Sequence, residues 1–154
     1  MLIAVLRRAR VARLPSLHAA LDATLRDVLV RFRSPLFSTS NTVCGELCLE
    51  LLRQCNDGDD DATRQAACAT LFFLFEQNFV AVGNVSRARL QTTVGATNLL
   101  AQRGTRIDAL LLSLQELCDR AAKLPRSHHD GGRRKALTSE LTELKTTIEE
   151  VRHC

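Results

Sequence analysis

The sequence predicts an all-α protein of about six or seven helices, and three observations lead there. Among 154 residues there are 26 Leu and 18 Arg but only 7 Gly, 3 Pro and 6 Phe, with no Trp and no Tyr. So few turn residues and β-favouring aromatics disfavour a barrel or sandwich, which needs many short strands and turns. Apolar residues recur at steps of three and four along most of the chain, the period of an amphipathic helix. Hydrophobic content of 45% and charged content of 25% fit one ordinary globular domain or a piece of a larger one, and exclude collagen-like, disordered and disulfide-scaffold classes.

The first segment, residues 1–14, pairs a short apolar stretch with Arg7, Arg8, Arg10 and Arg13. It reads as the end of an amphipathic helix. An Arg-rich, acid-poor start is also a mark of mitochondrial transit peptides, although those are Ser-rich and this one is not. Pro15 stands where a helix can begin, since its missing N–H costs nothing there. Leu14, Leu17, Leu21, Leu25, Val28 and Phe32 then mark a helix over 15–33, which Pro35 stops. Residues 37–42 read as a connection with Thr42 as the next cap, followed by the stripe Val43, Leu47, Leu51 and Cys55.

Asn56 to Asp61 is an acidic loop whose last residue, Asp61, is placed to cap the next helix. A calcium loop from Asp57 would need Glu at its twelfth position, which is Cys68. Residues 62–79 are apolar nearly all round, from Ala66 through Leu71, Phe72, Phe73, Leu74 and Phe75 to Phe79, so this helix is enclosed by others. After Gly83-Asn84, residues 85–103 carry Val85, Leu90, Val94, Leu99 and Leu100 inside. Gly104 ends that helix and Thr105 caps the next, whose stripe is Ile107, Leu110, Leu111, Leu114, Cys118 and Ala121. Pro125 breaks the chain, 125–136 is a basic loop, and Leu137, Leu141, Leu144, Ile148 and Val151 make a last helix over 137–154. Short connections force neighbours to pack antiparallel. Stacked hairpins of armadillo or HEAT type satisfy this pattern, as does a compact irregular bundle; the former is the expected architecture.

The net charge of +4 belongs to residues 1–35, where seven Arg face Asp22 and Asp27; the remainder carries a balance of −1. No basic stripe with stacking aromatics runs through the domain, so no nucleic-acid partner is expected. Six Cys occur without a CxxC pair or a signal-peptide core, which suits a reduced, cytoplasmic chain. The apolar runs fall short of the roughly 18–20 residues that span a bilayer, so no transmembrane segment is expected. Cys44, Cys48 and Cys55 share one helical face and would need a fourth ligand to bind zinc; the same spacing is a core stripe. His128-His129 beside Asp130 reads as a surface loop, and His18 and His153 have no companion ligand at informative spacing. No GxGxxG, GKS, GxSxG or HExxH is present, and no catalytic, cofactor or metal residue is assigned. Arg87, Arg89 and Gln91 are the candidate partner surface, with a solvated helix face as the competing reading.

One stretch says more. CGELCLELLRQC, an acidic gap, ATRQAACATLFFLFEQNF and then NVSRARLQTT run from Cys44 to Thr93. This order resembles the helical region that precedes the catalytic docker domain in the dedicator-of-cytokinesis (DOCK) guanine-nucleotide exchange factors, and most closely their zizimin-like branch. The matching residues are Leu47, Cys48, Leu51, Leu52, Cys55, Arg64, Ala67, Ala69, Leu71, Leu74, Phe79, Asn84, Arg87, Arg89 and Gln91. The helix with Leu17, Leu21 and Leu25 looks like the one just upstream in those proteins, and Leu110–Lys123 is similar to the next. The resemblance implies an armadillo-like scaffold, cytoplasmic and peripheral at membranes through other domains, partnered with a Rho-family small GTPase through the full-length protein, and open to homodimerisation. The exchange-catalysing loop of the family has no counterpart here, so the chain reads as a segment that is not an enzyme by itself. The alternative is a standalone, mitochondrially targeted helical interaction protein.

Overall fold

A computed structural model of the chain describes residues 1–12, 15–39, 41–57, 60–102, 104–125 and 131–152. Among them the backbone forms α-helices and no strand: α1 (Leu2–Ala12), α2 (Pro15–Arg31), α3 (Arg33–Ser38), α4 (Asn41–Asp57), α5 (Asp61–Val82), α6 (Ser86–Leu100), α7 (Ile107–Ala122) and α8 (Gly131–Arg152). The all-α expectation holds, with eight helices where six or seven were expected. Arg13, Leu14, Gly58, Asp59, the run with His128, His129 and Asp130, and His153 and Cys154 lie outside the described residues.

The basic start is helical, as its reading as part of an amphipathic helix implies, and Leu6 and Ala9 are buried. The helix not expected is α3, and it has a local cause. Pro35 does not simply stop α2: the chain turns at Phe32 and Pro35 becomes the third residue of α3, in a first turn where a missing N–H breaks no bond. Thr39 closes α3, its N–H and hydroxyl both donating to the Pro35 carbonyl. Thr42, expected as a cap, is the second residue of α4. The last helix starts at Gly131, six residues before its first buried residue, Leu137, so the apolar stripe reported only its inner part.

Two rows of helices result. α4 packs against α1 and α6, and α6 against α8; across from them α5 packs against α2, α3 and α7. The α4–α5 and α7–α8 hairpins join the rows. One continuous core runs between them, including Leu25 and Leu29 of α2, Leu51 and Leu52 of α4, Leu71, Leu74 and Phe75 of α5, Leu110, Leu114 and Leu117 of α7, and Leu137 to Ile148 of α8. Each such side chain contributes roughly 1.5–3 kcal/mol by leaving water.

The central helix is α5, as its all-round apolarity predicts. It is capped by Asp60, one residue earlier than expected: the extended backbone there lets the carboxylate accept from the Thr63 N–H at 2.6 Å and from the Thr63 hydroxyl at 2.8 Å. Those bonds hold the Asp60 carboxyl below its ordinary range. Gly83 ends α5 in the left-handed conformation, φ 75°, with its N–H on the Phe79 carbonyl. By length and composition α5 could cross a membrane. Its surroundings make it a core helix: the Thr70 hydroxyl accepts from Arg26 of α2, Gln77 Oε1 from Arg33 of α3, and the Asn78 side-chain Oδ1 from the Ala88 N–H of α6.

Stripes predicted by apolarity alone are partly displaced. In α2 the buried line is Asp22, Leu25 and Leu29, while Phe32 is 57% exposed. In α6 Leu90 and Val94 face outward, and the buried face is Ala88, Thr92, Gly95, Ala96 and Leu99. That face is small because α4 lies close against it. A Cβ on Gly95 would meet Leu52 Cδ1 at 2.9 Å and the Leu49 Cα at 3.5 Å. Gly95→Leu is expected to force the two helices apart and cost roughly 1–3 kcal/mol, read as a fall in the urea midpoint.

Burial of Asp22 pushes its carboxyl up, offset in part by Arg26 and His18. A folded-state value above the unfolded one means that the native chain binds the proton more tightly. Stability therefore falls as pH rises through the ordinary carboxylate range, near 4, toward the raised value. Asp22→Asn is expected to match the parent at pH 3 and to exceed it at pH 7 in urea unfolding. A gain that is equal at both pH values would rule out this cause.

Candidate functional site

The candidate surface residues belong to the first two turns of α6. Asn84 Oδ1 accepts from the Ser86 N–H at 3.1 Å, which orients the helix after the Gly83 break. Arg87 and Gln91 stand one turn apart on the side toward α4, and Arg89 lies on the side toward α8.

The structure does not bring these three to one open patch. Arg89 pairs with Glu140 at 2.7 Å and Glu143 at 2.6 Å, clasping α8 to α6. Gln91 lays its amide over Gly45 of α4, where a Cβ would meet Oε1 at 2.5 Å. It also lines a cleft of about 230 Å³ between α4 and α6, with Thr42, Glu46 and Asn98. Arg87 is half-buried; its Nη1 has no hydrogen-bond partner among the described residues, and its charge acts on Cys44. Arg89→Ala is expected to cost about 0.5–1 kcal/mol through the α8 pairs, and Arg87→Ala less, by thermal unfolding.

Cys44 and Cys48 form a thiol pair one turn apart. The bond from Cys48 pulls the Cys44 thiol down against its burial, with help from Arg87, and the same pairing and burial push Cys48 well up. Cys55 turns elsewhere, to Cys68 of α5, with sulfurs 3.6 Å apart. Here the bond from Cys55 draws Cys68 down while Cys55 is pushed well up. Cys44 and Cys55 lie eleven residues apart, roughly 16 Å along the helix axis. The three thiols of one face therefore do not converge on one ion. The described carboxylates of the acidic run have partners as well: Asp57 takes Arg10, Asp60 caps α5, and Asp61 takes Arg64 at 2.6 Å and Gln65. Arg64 also reaches Glu116 of α7 at 3.0 Å.

The most enclosed charge among the described residues was not singled out by the sequence. Glu50 of α4 is 0% exposed. It accepts from Arg10 Nε at 2.9 Å and lies 3.6 Å from Arg7 Nε and 3.5 Å from Arg53. Arg10 also holds Asp57 at 2.6 Å, and Arg7 lies 3.6 Å from Glu46. His18 Nε2 adds a bond to the Ala9 carbonyl at 2.8 Å. The arginines of the first helix thus serve to dock it. A signal was present: Glu46, Glu50 and Asp57 share one side of a helix whose opposite face is apolar, and the nearest excess of cations is residues 7–13.

Known proteins share this sequence in part. Over 80 residues, 52% of the chain, it is 35% identical to dedicator of cytokinesis protein 8 of Mus musculus. Identity is also 35% over 78 residues with dedicator of cytokinesis protein 7 of Homo sapiens, and over 81 residues with dedicator of cytokinesis protein 11 of Danio rerio. The chain spans about 4% of the length of each of these relatives. No family model matches it, and no solved structure matches it. About half of the chain is thus related to dedicator of cytokinesis proteins.

Proposed function

We propose that this chain is a helical scaffold segment of a DOCK-like guanine-nucleotide exchange factor, of the zizimin-like branch and from the region before the catalytic docker domain. In this reading it works in Rho/Rac-type small GTPase signalling. It positions or dimerises the catalytic part and performs no exchange itself. The observation that carries the reading is 35% identity over about 80 residues to several dedicator of cytokinesis proteins. The two rows of packed helices support an armadillo-like stack, since such stacks layer successive hairpins in this way. The polar groups add to this: Glu50, Arg64 and Arg89 all join one helix to another, which is the work of a rigid support. Cytoplasmic residence, peripheral at membranes through further domains, belongs to the same reading. Arg7 and Arg10, which the mitochondrial alternative would use for import, hold α1 on Glu50 in the folded chain.

The test is nucleotide release from a Rac-type GTPase, measured with the chain alone and with a chimera of dedicator of cytokinesis protein 8 in which this chain replaces the matching stretch. The chain alone is expected to give the spontaneous rate. The chimera is expected to restore the exchange that deletion of the stretch removes. Acceleration by the chain alone, or a chimera no better than the deletion, would overturn the proposal.

A further inference from the structure

The geometry points to Cys55 and Cys68 as an oxidisable dithiol that closes into a disulfide between the end of α4 and the second turn of α5. The two sulfurs lie 3.6 Å apart, in contact, on helices that pack against each other. A disulfide needs them near 2.05 Å, a closure of roughly 1.5 Å that rotation of two short side chains can share. With Ala67 they form a small apolar cluster of their own, apart from the main core, so the movement need not disturb the large leucine packing. Cys55 is two residues from the end of α4, so the pair lies at one end of the α4–α5 hairpin and not in the middle of the core.

The other thiol pair lacks this arrangement. Cys44 and Cys48 project from one continuous helix with both Cα–Cβ bonds tilted the same way, so cross-linking them would unwind a turn. As in the Cys44–Cys48 pair, the two thiols of Cys55–Cys68 differ in acidity: Cys68 is drawn down by the bond from Cys55, and Cys55 is pushed up. That makes Cys68 the attacking sulfur. With hydrogen peroxide as oxidant, the Cys68 thiolate attacks one oxygen, the O–O bond breaks, and hydroxide takes a proton and leaves as water. The Cys55 sulfur then attacks the Cys68 sulfenic sulfur. The S–S bond forms, the S–O bond breaks, and the departing hydroxide carries off the Cys55 proton as a second water. Two thiols are oxidised by two electrons and one peroxide is reduced to two waters.

The test oxidises the full folded chain with hydrogen peroxide, alkylates the remaining thiols with iodoacetamide in denaturant, and maps peptides without reductant. The expected result is one peptide pair linked through Cys55 and Cys68, released by dithiothreitol, with a thermal midpoint raised by about 5–10 °C before release. Cys68→Ala should abolish both the linked peptide and the shift, and Cys44→Ala should keep both. Should Cys68→Ala fail to fold, the parent's peptide map decides alone. Recovery of Cys55 and Cys68 as alkylated thiols after prolonged excess peroxide, as separate sulfinic or sulfonic acids, or linked to other cysteines, would overturn the assignment.

Discussion

Leu74→Asp is expected to leave the chain without a cooperative unfolding transition. Leu74 is fully buried at the middle of α5, the helix that touches both rows. The substitution removes a side chain whose deletion alone costs about 2–5 kcal/mol, and it sets a carboxylate inside the hydrophobic core. An unpaired buried charge adds several kcal/mol more, or forces protonation of the new carboxyl. The sum reaches the whole stability of an ordinary domain, about 5–15 kcal/mol. Circular dichroism during heating checks it: a sloping, non-sigmoidal loss of helix is expected, and a transition within a few degrees of the parent would show that α5 is not central. The adjacent Phe73→Asp is expected to be milder. Phe73 is only partly buried and lies 6.0 Å beneath the Arg26 guanidinium, which would meet the new carboxylate.

Glu50→Ala is expected to release α1 without unfolding the rest. The change leaves Arg10 with Asp57 alone, and takes from Arg7 and Arg53 their fully buried partner. Breaking a buried pair by removing one member costs about 3–5 kcal/mol when both are enclosed. These arginines reach solvent, so about 2–3 kcal/mol is expected here. Hydrogen exchange separates the effects: the amides of residues 2–12 should lose protection while those of α5 and α7 keep theirs. Uniform loss across the chain would mean that α1 and the body unfold as one unit. Glu50→Gln, which keeps the shape and one acceptor, should lie between the two.

What was legible in the sequence depended on what each helix buries. Helices that bury large apolar side chains announced themselves: α5 by apolarity on every side, α7 and α8 by Leu110, Leu114, Leu141 and Leu144 at helical spacing. α6 showed as a helix but with the wrong side inward, because its buried face is built of Ala88, Thr92, Gly95 and Ala96, which carry little hydrophobic signal. Its outward Leu90 and Val94 carried more. α3 was hidden by Pro35, whose meaning changes with its position in a turn. At the candidate site, spacing placed Arg87 and Gln91 one turn apart, and the structure keeps them so. Spacing could not tell that Arg89 would find Glu140 and Glu143 fifty residues on, or that Cys55 would meet Cys68 across the α4–α5 contact. Those pairings are tertiary, and a single chain read in order contains the partners without their meeting.

The clasp on Glu50 also decides how the chain would carry mechanical load. Tension applied at Met1 passes along α1 and reaches Arg7 and Arg10 before it reaches α2. Their grip on α4 hands the pull to a helix forty residues downstream. α2 and α3 lie within the loop so closed and stay slack while the grip lasts. The first elements to yield are then these charged contacts together with the packing of Leu6 and Ala9 under α1, ahead of the rest of the leucine core.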